Sequence, residues 1–197
     1  TSARRVQDLA KECPNRLSLA FIEATGGEGP ALAERLLEAG LTAFGWRAFT
    51  LGRDGSFDAP RYFGNLARAH ELAREHDALW IGFVQVTETD VSRFASESDI
   101  RMQAYSQLAF GAHGLAYYRY WVPIVREAWN ENPAAGMRQT MVNPHTGERH
   151  YTWEKVAEVN REVQALWPVL RTLTVDAVYF AGEVPAGMPR LPFGTHL

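Results

Sequence analysis

ALWIGFVQV (residues 78–86) and GLAYYRYW (residues 114–121), with the stretch from about Ser98 to Phe110 between them, decide the fold. Both runs are apolar nearly throughout and of strand length. The stretch between them follows a polar loop, Thr87 to Glu97, and is stopped by Gly111, as a helix is. Strands read as continuous apolar runs when helices cover one face and a packed interior lies on the other. The same alternation runs back toward the N-terminus. Leu17 to Glu23 (LSLAFIE) is a strand-length run, followed by a Gly-rich loop and a helix over Ala31–Ala39 with Leu32, Leu36 and Leu37 at helical spacing and Gly40 at its end. Leu41 to Phe49 (LTAFGWRAF) is the next run. A polar turn at Leu51–Gly55 then leads to an amphipathic helix over Tyr62–His76, with Leu66, Ala69, Leu72 and Ala73 on one face. Strands alternating with helices predict parallel strands joined by crossovers. The expected fold is therefore α/β, four βα units of a TIM-type barrel (a half-barrel or barrel portion) over residues 1–181.

Outside these units the pattern is looser. Val6–Cys13 reads as a short helix stopped by Pro14, Val122–Trp129 as another, and Asn130–Met137 as a loop. Asn143-Pro144-His145-Thr146-Gly147 reads as a turn between two extended pieces. Thr152 is expected to cap a helix to about Leu166 with Val156, Val159, Val163 and Leu166 inward, and Val175–Ala181 to form a last short strand. The tail, residues 182–197, holds three prolines and three glycines and reads as linker-like.

Composition narrows the classes of function. A hydrophobic content of 46% with 12% aromatic residues supports a packed core in a chain of 197 residues. A net charge of -3 gives no basic surplus for nucleic acid and no polybasic run for a membrane surface. The apolar runs are too short to span a bilayer. Thr1-Ser2-Ala3-Arg4-Arg5 has no apolar stretch behind it and does not read as a signal peptide, which leaves the compartment open between cytoplasm and secretion. Cys13 alone makes neither an internal disulfide nor a cysteine zinc site, and His145 and His150 lack ligand spacing, so no metal is expected. Gly26-Gly27-Glu28-Gly29 lacks the dinucleotide spacing, so no nucleotide cofactor is expected either.

Parallel barrels place their sites at the C-terminal strand ends. Those ends supply Glu23; Trp46, Arg47 and Phe49; Gln85 and then Glu88; and Tyr118, Arg119, Tyr120 and Trp121. Trp and Tyr with a few carboxylates and arginines suit a carbohydrate, whose ring faces stack on aromatics while charged groups bind hydroxyls. Glu23 and Glu88 are the candidate catalytic carboxylates. The alternatives are that Glu23 accepts hydrogen bonds from the Gly-rich loop and that Glu88 is solvated. Trp46, Arg47, Gln85, Arg119 and Trp121 are the candidate substrate contacts. Arg119, flanked by aromatics, needs an acidic partner or a ligand. His113 reads as a capping residue.

The stretch RMQAYSQLAFGAHGLAYYRYW, residues 101–121, resembles the last strand–helix region of the β-galactosidase-like glycoside hydrolases. Tyr62-Phe63-Gly64-Asn65-Leu66, Trp80 with Phe83 and Gln85, and Val159-Asn160-Arg161-Glu162-Val163 add to the likeness. The resemblance implies the C-terminal half of a (β/α)₈ barrel, strands five to eight. It also implies a glycoside hydrolase in which Gln85 stands near the position of the nucleophile and the acid/base strand is missing. Non-catalytic carbohydrate binding, or a purely structural half-barrel, are the alternatives it leaves. The expected partners are a carbohydrate and, for the two strand edges, the remainder of the barrel or a second copy of the chain.

Overall fold

A computed structural model describes residues 8, 18–24, 27–89, 92–121, 140–143 and 146–192. Cys13, the helix expected at Val6–Cys13 apart from Asp8, the helix at Val122–Trp129, the loop at Asn130–Met137, and Pro144 and His145 of the turn lie outside the described residues.

Among the described residues the elements run β1 (Leu19–Glu23), α1 (Gly29–Glu38), β2 (Ala43–Arg47), α2 (Ala59–Glu75), β3 (Leu79–Gln85), α3 (Glu97–Ala109), β4 (Gly114–Tyr118) and α4 (Tyr151–Leu170). The helix boundaries follow from local chemistry. The α1 helix carries Pro30 in its first turn, where the lost N–H costs nothing, and is followed by Gly40 at φ 98°. In α2 the Asp58 carboxylate accepts the Arg61 N–H at 3.1 Å. A reciprocal box starts α3: Ser96 Oγ accepts from the Asp99 N–H at 3.2 Å, and Asp99 Oδ2 accepts from the Ser96 N–H at 2.8 Å. The last helix departs from expectation. His150, not Thr152, is the residue before its first turn, and the Thr152 hydroxyl instead donates to the Thr140 carbonyl at 3.3 Å. It also continues through Pro168 to Leu170. Val175–Ala181 forms no strand; Phe180 makes an isolated bridge to Arg190, and its ring packs edge-on against Phe63 at 4.8 Å. An aromatic anchor rather than sheet pairing fixes this segment.

The four strands form one parallel sheet in the order β1-β2-β3-β4. Each crossover therefore advances by one place, which is compatible with four consecutive units of a (β/α)₈ barrel. The register pairs Ile22 with Trp46, Phe44 with Trp80 and Val84 with Tyr117. Paired residues share a face, so Ile22, Phe44, Trp46, Trp80 and Val84 point toward the helices, where all five are buried at 1% exposure or less. Each such side chain contributes about 1.5–3 kcal/mol by leaving water.

The other face alternates in size from strand to strand. Leu19 and Phe21 on β1, and Leu79, Ile81 and Phe83 on β3, are large. Ala43 and Gly45 on β2, and Gly114 and Ala116 on β4, are small. Gly45 is required here. A Cβ on it would lie 2.5 Å from the Phe21 ring and 2.7 Å from the Phe83 ring, which meet edge to face above it at 5.4 Å.

An ion network ties α3 to α4. Arg101 donates to Glu162 at 2.5 and 2.9 Å, and the Tyr105 hydroxyl donates to the same carboxylate at 2.5 Å. The Arg101 guanidinium, and after it Tyr105, hold the Glu162 carboxyl down at about 2 from an ordinary 4.5. A depressed carboxyl stabilises the fold above its unfolded pKa, and that contribution is lost as pH falls through the folded one. Thermal melts of Glu162→Gln against pH should therefore start lower at neutral pH and fall less steeply than wild type between pH 4.5 and 2. Superimposable acid limbs would show that this network does not couple the two helices.

Candidate functional site

The strand C-termini open into a cavity of about 480 Å³. Its floor is Glu23, Arg47, Gln85 and Tyr118, one residue from the end of each strand, and its walls come from the loops after β2 and β3. Those loops are joined. Leu51 pairs with Phe57 within the first loop, and Gly52 bridges to Ser92 of the second. The Arg93 N–H donates to the Leu51 carbonyl at 3.3 Å, so two loops form one wall. The Asp54 carboxylate bends the first loop by accepting from the Ser56 N–H at 3.0 Å and hydroxyl at 2.5 Å, and the hydroxyl bond is the main cause of its lowered pKa.

The position of Gln85 has a specific cause. At the end of β3, Val86 N–H donates to the Tyr118 carbonyl, so even-numbered residues bond toward β4 and odd-numbered ones toward β2. The pairing of β2 with β3 stops at Trp46–Gly82, which leaves Phe83 and Gln85, paired with β4 on one side, without a paired strand on the β2 side that their own backbone groups face. Two glutamines of α3 take its place. Gln103 accepts the Gln85 N–H at 2.9 Å and donates to the Gln85 carbonyl at 3.3 Å, and Gln107 donates to the Phe83 carbonyl at 3.0 Å. Room for Gln107 exists because residue 82 is glycine: a Cβ there would lie 1.7 Å from Gln107 Oε1. The Gln85 side chain is thereby held at the cavity floor, 2% exposed, with neither its oxygen nor its nitrogen hydrogen-bonded among the described residues.

Among the described lining residues the charges balance. Arg47 pairs with Glu23 at 3.3 Å, and Asp58 and Arg61 add one charge of each sign. The Arg47 Nε and the Thr50 hydroxyl are buried without a hydrogen-bond partner among the described residues.

The structure brings together three of the seven residues expected from the sequence: Glu23, Arg47 and Gln85. Trp46 is not at the mouth. It alternates with Arg47 and so points into the helix-side core, edge-on to Phe44 at 5.8 Å. Glu88 is half-buried and does not line the cavity, so it and Glu23 share no common space. Arg119 lies over the Tyr118 ring at 4.5 Å and donates to its hydroxyl at 2.5 Å, and among the described residues no ion pair supplies the acidic partner expected for it. Its N–H goes to the Thr87 hydroxyl at 2.7 Å. Trp121 is 47% exposed and also outside the lining. His113 bridges β4 to β3, accepting the Trp80 N–H on Nδ1 at 3.3 Å. The lining residues Thr50, Asp58, Arg61, Thr87 and Ser92 were missed. Their only sequence signal is the polar character of two loops that follow strands. Among the described residues no group of three or more His, Cys, Asp or Glu side chains is placed to hold a metal ion. No described helix is long and apolar enough to cross a membrane.

No protein-family model matches the chain, and no curated protein does. Among solved structures, the radical S-adenosylmethionine methyltransferase TsrM from Kitasatospora setae is similar at 15% identity and a TM-score of 0.37. This holds for the form with tryptophan substrate and aza-SAM and for the form with cobalamin and a [4Fe-4S] cluster. The match covers 58% of this chain and 22–23% of the methyltransferase, so the chain spans less than a quarter of that protein's length. These findings correct the resemblance to β-galactosidase-like glycoside hydrolases, and with it the carbohydrate-active reading and the assignment as strands five to eight. The stretch from Arg101 to Trp121 has a local explanation. Gln103 and Gln107 clamp β3, Ala104 packs in the core, and Gly111 takes the φ of 84° that ends a helix before a strand.

Replacing Gln103 with leucine should cost about 1–3 kcal/mol, because the Gln85 N–H and carbonyl lose their partner. Urea unfolding measures this; a loss below about 0.5 kcal/mol would mean that water or a neighbouring strand replaces the amide without penalty.

Proposed function

We propose that the chain binds a small, neutral, hydrogen-bonding molecule at the C-terminal ends of its strands, through an amide-like edge. What supports this most is the Gln85 carboxamide, 2% exposed at the floor of the cavity with both polar atoms unsatisfied. A buried polar group left unpaired costs about 1–3 kcal/mol, and such a cost is tolerated where a ligand repays it. A carboxamide presents one donor and one acceptor in a plane, so its complement carries an adjacent acceptor and donor, as a lactam, imide or ureido group does. The balanced lining, Glu23 with Arg47 and Asp58 with Arg61, favours a neutral molecule over an ion. Arg47 Nε and the Thr50 hydroxyl offer further hydrogen bonds. A cavity of about 480 Å³ is of the size that holds one small ligand.

Gln85→Leu separates this reading from a structural role. Removing an unsatisfied amide should raise stability by about 1–3 kcal/mol, a rise in Tm of about 2–4 °C per kcal/mol. The same change should abolish the thermal shift given by hydantoin, a planar ureido probe, whose N,N-dimethyl derivative should give no shift to wild type. A variant that melts lower than wild type, or that keeps the hydantoin shift, would overturn the proposal.

A further inference from the structure

The inner face of the sheet is built as half of a packed interior. Leu19 is 39% exposed and Phe21 61% on the edge strand β1, and Leu79 is 42% exposed although β3 has a strand on either side. Barrel interiors fill in layers, with large side chains supplied by alternate strands. Here β1 and β3 supply them, while β2 and β4 carry Ala43, Gly45, Gly114 and Ala116 in the gaps. This alternation fixes what fits at each edge. A strand added beside β4 must present large side chains, and a strand added beside β1 must present small ones. The two edges meet those demands for each other: β1 is the large-bearing strand that β4 requires, and β4 the small-bearing strand that β1 requires.

Charge agrees with size. The β1 edge ends in Glu23, whose side chain is 44% exposed, and the chain leaves the β4 edge through Arg119. Placing β4 beside β1 of another copy sets an acid against a base, and a two-fold axis parallel to the strands does so twice. Leu166 at 47%, Trp167 at 37% and Val169 at 61% also leave the end of α4 apolar and exposed.

We infer that the covering partner is a second copy of this chain. Two copies related by a two-fold axis along the strands close an eight-stranded parallel barrel, burying Leu19, Phe21 and Leu79 against their counterparts. Glu23, Arg47, Gln85 and Tyr118 then line one half of the resulting mouth and their counterparts the other half.

Light scattering on the full chain at tens of micromolar tests this without any ligand, so its outcome is separate from that of the ligand reading. The expected mass is twice 22.1 kDa. Phe21→Asp should return it to a monomer with unchanged helical circular dichroism. Glu23→Arg and Arg119→Glu should each raise the concentration of half-dimerisation by about tenfold or more, and the double swap should restore it. A wild-type monomer would overturn the inference. So would a dimer indifferent to Phe21→Asp, or a double swap no better than either single change.

Discussion

The carboxamide of Gln103 stands where a strand should be. Because β3 outruns β2, the backbone groups at its end face a place the sheet does not fill, and an α-helix supplies the missing donor and acceptor. The position of Gln85 depends on this substitution, and so does the cavity floor. It also couples distant choices in the sequence: glycine at 82 is needed so that Gln107 fits beside Gln103, and α3 must be capped by Ser96 and Asp99 so that both glutamines arrive in register. Arg93 ion-pairs with Asp99 and so binds the cap to the loop that walls the cavity.

Two faces of one sheet then follow different rules. Toward the helices, aromatic and branched side chains are buried. Toward the inside, size alternates from strand to strand, and only the last layer, at the strand ends, is polar. That division places hydrogen-bonding chemistry on top of an apolar floor, where each unsatisfied polar atom weighs more than it would in water. The Glu23–Arg47 pair contributes little to stability at its half-exposed position; its effect is to leave the mouth uncharged overall.

Much of the fold was legible. Continuous apolar runs separated by amphipathic stretches gave four parallel strands with crossovers, and the boundaries moved by only a few residues. Glycines at 40 and 111 marked helix ends because each takes a positive φ there. Less of the site was legible. Alternation along β2 puts Arg47 in the mouth and Trp46 in the core, but a strand apolar on both faces carries no period to say which is which. Glu88 and Trp121 follow strand ends, yet a loop's direction depends on tertiary partners such as Thr87, whose hydroxyl takes the Arg119 N–H. Val175–Ala181 had strand composition but no neighbouring edge to join, so Phe180 anchors it by ring packing. The likeness to a hydrolase family arose from residues whose work here is to clamp β3 and terminate α3.

The amide clamp is the claim on which both the site and its proposed ligand chemistry rest, and hydrogen exchange read by NMR tests it at one atom. The Gln85 backbone N–H, bonded to Gln103 at 2.9 Å, should exchange as slowly as that of Val84 inside the sheet, although β2 does not extend to the side it faces. Exchange at the rate of an open loop amide would contradict the account, because β3 would then end before Gln85 and the carboxamide would not be held at the floor of the cavity.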